Sequence, residues 1–152
     1  MDSTRKSKGR RGDALDAEVS EAFSLIHSNP SESLRRLEMA YERALQNGDA
    51  RGRGILALMG RAARAVPNLS RARRIYSQLI KSDPRDPYWY GALARVEEEL
   101  GERLIARHHY CKAVQLGVER LDMRADARLK LENSIRAWRA SARALGANVD
   151  PE

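Results

Sequence analysis

A single cysteine, Cys111, stands in the 152-residue chain, so no internal disulfide can form and a disulfide-stapled secreted scaffold is excluded. No apolar run approaches the ~20 residues that a membrane span needs. The N-terminus lacks the apolar stretch of a signal peptide. Aromatic residues make up only 5% of the chain, and runs of β-branched residues, the usual mark of strands, are missing. There is no glycine-rich phosphate loop, no nucleophile elbow and no isolated carboxylate pair. These absences lead us to expect a soluble intracellular protein of the cytoplasm, nucleus or an organelle interior. We expect it to be neither secreted nor membrane-bound, not an enzyme, and without cofactor or metal.

Ala, Leu, Arg and Glu dominate, and all are good helix formers. The fold class this predicts is all-α. The net charge of +7 is unevenly spread. Residues 1–12 hold five basic residues and Asp2, with no large apolar side chain after Met1, and read as a disordered basic tail. Residues 13–50 are acidic. Residues 51–82 carry eight basic residues and no acid. The basic character is therefore a tail plus one internal block.

Apolar periodicity marks a helix over 14–27, where Leu15, Val19, Phe23 and Ile26 share a face. Asn29-Pro30 ends it. A second helix, over 33–46, shows Leu34, Leu37, Tyr41, Ala44 and Leu45. Further helices follow over 51–65, 69–81, 87–100 and 102–116. Pro67, Pro84, Gly101 and Gly117 punctuate them. Residues 119–145 contain no breaker and read as one long helix, or as two with a bend near Asn133-Ser134. Turns this short force neighbouring helices to run antiparallel.

A fixed period then emerges. Ala72 recurs as Ala106, Tyr76 as Tyr110 and Met59 as Leu93, with Gly60 answered by Ala94, each 34 residues on. Small residues at these places let two paired helices approach closely. The segment LGERLIARHHYCKAVQL, 100–116, with Leu100-Gly101, Ala106, Tyr110 and Ala113, resembles the second half of a tetratricopeptide repeat (TPR), and Pro84 falls where such a repeat closes. Glu97, Ala106-Arg107 and Tyr110 also resemble the half-a-TPR (HAT) variant found in RNA-processing complexes. The resemblance implies a right-handed α-solenoid of about three antiparallel helix pairs, in units 14–48, 53–86 and 87–120. A capping helix over 120–146 and a short tail over 147–152 complete the domain, which spans 13–146.

In that family the first helix of each pair lines a concave groove. Carried over, the inward positions include Ala57, Arg61 and Arg64 in one unit, and Tyr88, Gly91, Arg95 and Glu98 in the next. Arg61 and Arg95 hold the same repeat position, and arginine matches carboxylate or phosphate with a planar fork of donors. The resemblance thus implies a scaffold that binds another protein or an acidic peptide through Arg61, Arg64, Tyr88 and Arg95, with RNA as the alternative partner. Leu131, Ile135 and Trp138 form a seam on the last helix, suited either to capping the array or to a partner, including a second copy of the chain. His108 and Cys111 share a helical face, but a structural zinc needs four ligands. Glu97-Glu98-Glu99 reads as a solvated acidic face.

Overall fold

The computed structural model describes residues 3–121 and 125–148, with side chains from residue 12 onward. Among the described residues there are seven helices and no strand: α1 (Ser3–Ser24), α2 (Pro30–Gln46), α3 (Gly52–Ala65), α4 (Leu69–Ser82), α5 (Pro87–Glu99), α6 (Arg103–Glu119) and α7 (Ala125–Ala144). Asparagine and proline act together at one start and aspartate and proline at another. Asn29 Oδ1 accepts the Glu32 N–H at 3.2 Å, and Asp86 Oδ1 accepts the Tyr88 N–H at 2.9 Å. In both cases the proline occupies the first turn, where its missing N–H leaves nothing unsatisfied. Asn29-Pro30 is therefore a helix start as much as a helix stop.

One expectation changes at the N-terminus. The backbone is helical from Ser3, whereas the sequence suggested an unstructured tail through residue 12. Lys and Arg are good helix formers, and no proline interrupts residues 1–24, so a helix nucleated over the apolar stripe extends backwards without needing apolar contacts. The Gly12 carbonyl is held by Arg51 Nη1 at 2.7 Å. At the other end, α7 passes through Asn133-Ser134 without a break.

The chain divides into two compact units, Met1–Arg71 and Ala72–Glu152. In the first, α2 packs against both α1 and α3. Leu15, Ala22, Ile26, Leu34, Leu37 and Ile55 are among the residues it buries. Buried Ser33 donates its hydroxyl to the Ala22 carbonyl at 2.7 Å, which meets the rule that a buried polar group needs a partner. Leu45, assigned by period to the apolar stripe, is 59% exposed, because α2 ends one residue later.

In the second unit α6 packs against α5 and α7. Ala94 of α5 and Ala106 of α6 are fully buried, as the small-residue argument requires. Their cluster continues through Tyr110, Ala113 and Val114 to Leu131, Ile135, Trp138 and Ala142. Gly101, at φ 81°, ends the first of these helices in the left-handed conformation that glycine tolerates.

Candidate functional site

The basic block over 51–82 finds its counter-charges outside itself. Arg51 pairs with Asp49 and Asp16, each at 2.6 Å, and Arg71 pairs with Glu38. Arg73 Nη1 donates to Glu102 Oε1 at 2.9 Å. Much of the positive charge that looked unopposed in sequence is thus neutralised by acids brought in from other helices. Arg51 holds the Asp49 carboxyl down at about 2.

The four groove residues fare differently from one another. Arg61 is exposed, with its guanidinium 5.0 Å from the centroid of the Phe23 ring, a cation–π contact. Arg64, one turn along α3, is half-buried. Arg95 is exposed on α5. Tyr88 does not face open solvent. Its ring meets the edge of Trp138 at 5.7 Å and 72°, and burial pushes its phenol above the ordinary value. Gly91 lies under the same indole, and a Cβ there would stand 2.1 Å from Trp138 Nε1. A second notch, at Gly117, admits Ile135, whose Cγ1 would be 2.8 Å from an added Cβ. Leu131, Ile135 and Trp138 are buried by these contacts, so the seam of α7 is spent inside the unit. Tyr110 lies beneath it. Burial, with the Glu98 carboxylate that accepts its O–H at 2.7 Å, raises its phenol to about 12.

A different assembly forms where α4, α5 and α6 meet. A cleft of about 730 Å³ opens there, and Arg73, Lys81, His108 and Lys112 stand around it. Tyr90 and Glu97 are in its lining as well. Glu97 is 1% exposed, which corrects its assignment to a solvated face. His109 Nδ1 lies 2.6 Å from Glu97 Oε2, and Arg73 Nη2 lies 3.8 Å from Oε1. A carboxylate this deep is tolerated only with such partners. The His109 ring stands 6.0 Å from Tyr90 and 5.5 Å from His108.

The cleft therefore combines cationic side chains, planar rings and an internally satisfied carboxylate. It suits an anionic chain better than a neutral one. Glu97 was findable: with Tyr90, Leu93 and Ala94 it keeps the helical period of the buried stripe. The pairing of Lys81 with Lys112 across α4 and α6 was not, because nothing local to either residue signals it. Among the described residues, no three His, Cys, Asp or Glu side chains gather as a metal site, and no helix is long and apolar enough to cross a membrane.

The same architecture occurs in a solved structure, the Sgt2 TPR domain from Aspergillus fumigatus. It matches with a TM-score of 0.59 over 91% of this chain and 88% of that one, at 16% identity. That likeness establishes the fold. No protein-family profile and no curated protein matches the chain.

Proposed function

We propose that this chain, a tetratricopeptide-type helical repeat by fold, is a non-enzymatic adaptor that binds an acidic segment of another protein. The observation that supports this is the cationic cleft of α4, α5 and α6. It places Lys81 and Lys112 on opposite helices over a half-buried tyrosine, while the only acid in its lining is already engaged by His109. An acidic peptide can lay carboxylates against the lysines and an apolar side chain against Tyr90. The exposed Arg61 and Arg95 belong to the same reading as the groove arginines implied by the repeat resemblance, each as a separate anionic contact on the first helix of its own repeat.

An RNA partner is the competing reading, as the half-repeat resemblance suggests. Tyr90, His108 and His109 are what specifically favours it, since planar rings among cations can stack the bases of a single strand.

One experiment separates these readings. Fluorescence anisotropy would compare a glutamate-rich peptide bearing one leucine with an oligouridylate over a range of salt. The adaptor reading expects peptide binding that drops on the order of tenfold in the Lys81→Glu, Lys112→Glu double variant. Preferential oligouridylate binding with a steep salt slope supports the RNA reading instead, because phosphate contacts release counterions. If binding follows Arg61→Glu with Arg95→Glu rather than the lysine pair, the site lies on the first helices of the repeats. Loss of neither ligand in either double variant sinks both proposals.

A further inference from the structure

The C-terminal turn of α6 and the outer side of α7 form a second groove, of about 420 Å³. Its floor is apolar, formed by Val118, Leu121 and Ala140. Its wall is cationic, formed by Arg136, Arg139 and Arg143. The arginines follow one another at spacings of three and four, which keeps them on one stripe of the helix. Like charges at that spacing repel and weaken a helix that has no counter-charge. Glu132, the acid in this groove, is taken by Arg128, whose Nε lies 2.8 Å from its Oε1. Among the described residues no acid pairs with Arg136 or Arg139, and Arg139 Nε is buried without a hydrogen-bond acceptor. A guanidinium pair without acids of its own favours a carboxylate partner, whose two oxygens match the planar fork of donors.

The floor adds an independent reason. Val118 is 44% exposed although it lies on the helix that α7 packs against. In this architecture each helix buries its flanks against neighbours, and α6 is covered by α5 on one side and α7 on the other. Among the described residues no helix covers the outer flank of α7 in this way. From Glu132 to Arg143 the stripe extends about 17 Å, or three turns of helix. That length and that pattern, apolar floor beside a cationic wall, complement an amphipathic helix with an acidic edge. The acidic helix of this chain does not answer the description, since Asp16, Glu18 and Glu21 of α1 are held by Arg51, Arg43 and Arg36.

We infer that the groove between α6 and α7 receives an acidic amphipathic helix of a partner protein, which packs where a further helix of the array would lie. This site is separate from the cleft proposed above, and the two can fail independently.

The test uses the full chain and a synthetic helical peptide of about four turns. The peptide has leucines at i, i+4 and i+7 and glutamates along one flank, and its partner control replaces every glutamate with glutamine. Anisotropy gives affinity, and NMR shift perturbation locates the contact. The inference expects the glutamate peptide to bind and the glutamine peptide to bind about tenfold more weakly or worse. Shifts should centre on Val118, Leu121 and Ala140. Arg136→Glu with Arg139→Glu should abolish the shifts at this groove, whereas Lys81→Glu with Lys112→Glu should leave those shifts in place even where it lowers total binding of the peptide. Ala140→Trp fills the groove without altering charge, and it should block the peptide even if the arginine double variant folds poorly. Absence of binding, equal binding of both peptides, or shifts confined to α4 overturns the inference. So does sedimentation showing that the chain dimerises through this face, since the occupant would then be a second copy.

Discussion

The two units hold their helices together by different means. In Met1–Arg71 an apolar core is supplemented by surface ion pairs that tie α1 to α2 and to the α2–α3 turn. Arg36 reaches Glu21 at 2.7 Å, Arg43 reaches Glu18 at 2.5 Å, and Arg51 reaches Asp16 at 2.6 Å. In Ala72–Glu152 the corresponding links are shape-matched and apolar, with indole and isoleucine seated in glycine notches. The physical lesson is one of magnitude. Exposed ion pairs contribute about 0–1 kcal/mol each, whereas burial of a large side chain contributes several times that. The glycine-seated contacts of the second unit should therefore be harder to break than the ion pairs of the first. The second unit can also be watched alone, because both tryptophans, Trp89 and Trp138, lie within it.

The largest expected break in that contrast is Trp138→Ala. It removes the side chain that fills the Gly91 notch and should destabilise the second unit by about 3–5 kcal/mol. Denaturant melts followed by Trp89 fluorescence would show it, and an unchanged midpoint would mean that the α7 seam does not support the unit. His109→Leu comes next, at about 3 kcal/mol, because it strands the Glu97 carboxylate. Adding Glu97→Leu should restore much of the loss, and a double variant no better than the single one would show that the pair is not coupled. Ala106→Leu should follow at roughly 1–3 kcal/mol by overpacking the α5–α6 crossing. A melt identical to that of the parent would remove Ala106 from that crossing.

The extremes of pH sharpen the contrast in opposite directions. Tyr110 titrates near 12 in the fold against an ordinary value near 10. Its contribution is therefore complete below pH 10 and lost as pH climbs towards 12, so tryptophan fluorescence should report loosening of the second unit there. Glu32, hydrogen-bonded by Arg35 and Arg36, is held down at about 2, as is Asp49 beside Arg51. Their contribution is complete above the usual carboxylate range and fades as pH falls to about 2. Methyl resonances of Ile26 and Ile55 should register that loss. The smallest effect is expected from removing residues 1–11, which should leave the melting temperature within error, since no large apolar residue follows Met1 there. A drop of several degrees would show that this turn of α1 is anchored.

Periodicity in the sequence located the helices because it is a local signal, and Pro30, Pro87, Gly48 and Gly101 punctuate them within a few residues. The 34-residue echo of Ala72 in Ala106 likewise points to close helix crossings, since only small side chains permit them. What stayed hidden was everything decided by distant pairs. Charge blocks counted along the chain gave no hint that Arg71 would meet Glu38 or Arg73 would meet Glu102. The same applies to Tyr88, whose place on α5 is local but whose cover comes from a helix fifty residues on. Glu97 was obscured by its two acidic neighbours, although its phase on the helix distinguished it.

Glu97 and His109 also constrain the protein's history. Losing the imidazole first strands a buried carboxylate, and losing the carboxylate first leaves a half-buried imidazole without its partner, while changing both to apolar residues does neither. Drift at these two positions should thus be concerted. Descendants of a common ancestor should have kept the acid and the imidazole together or lost them together, long after the solvent-facing lysines around the cleft had been freely exchanged.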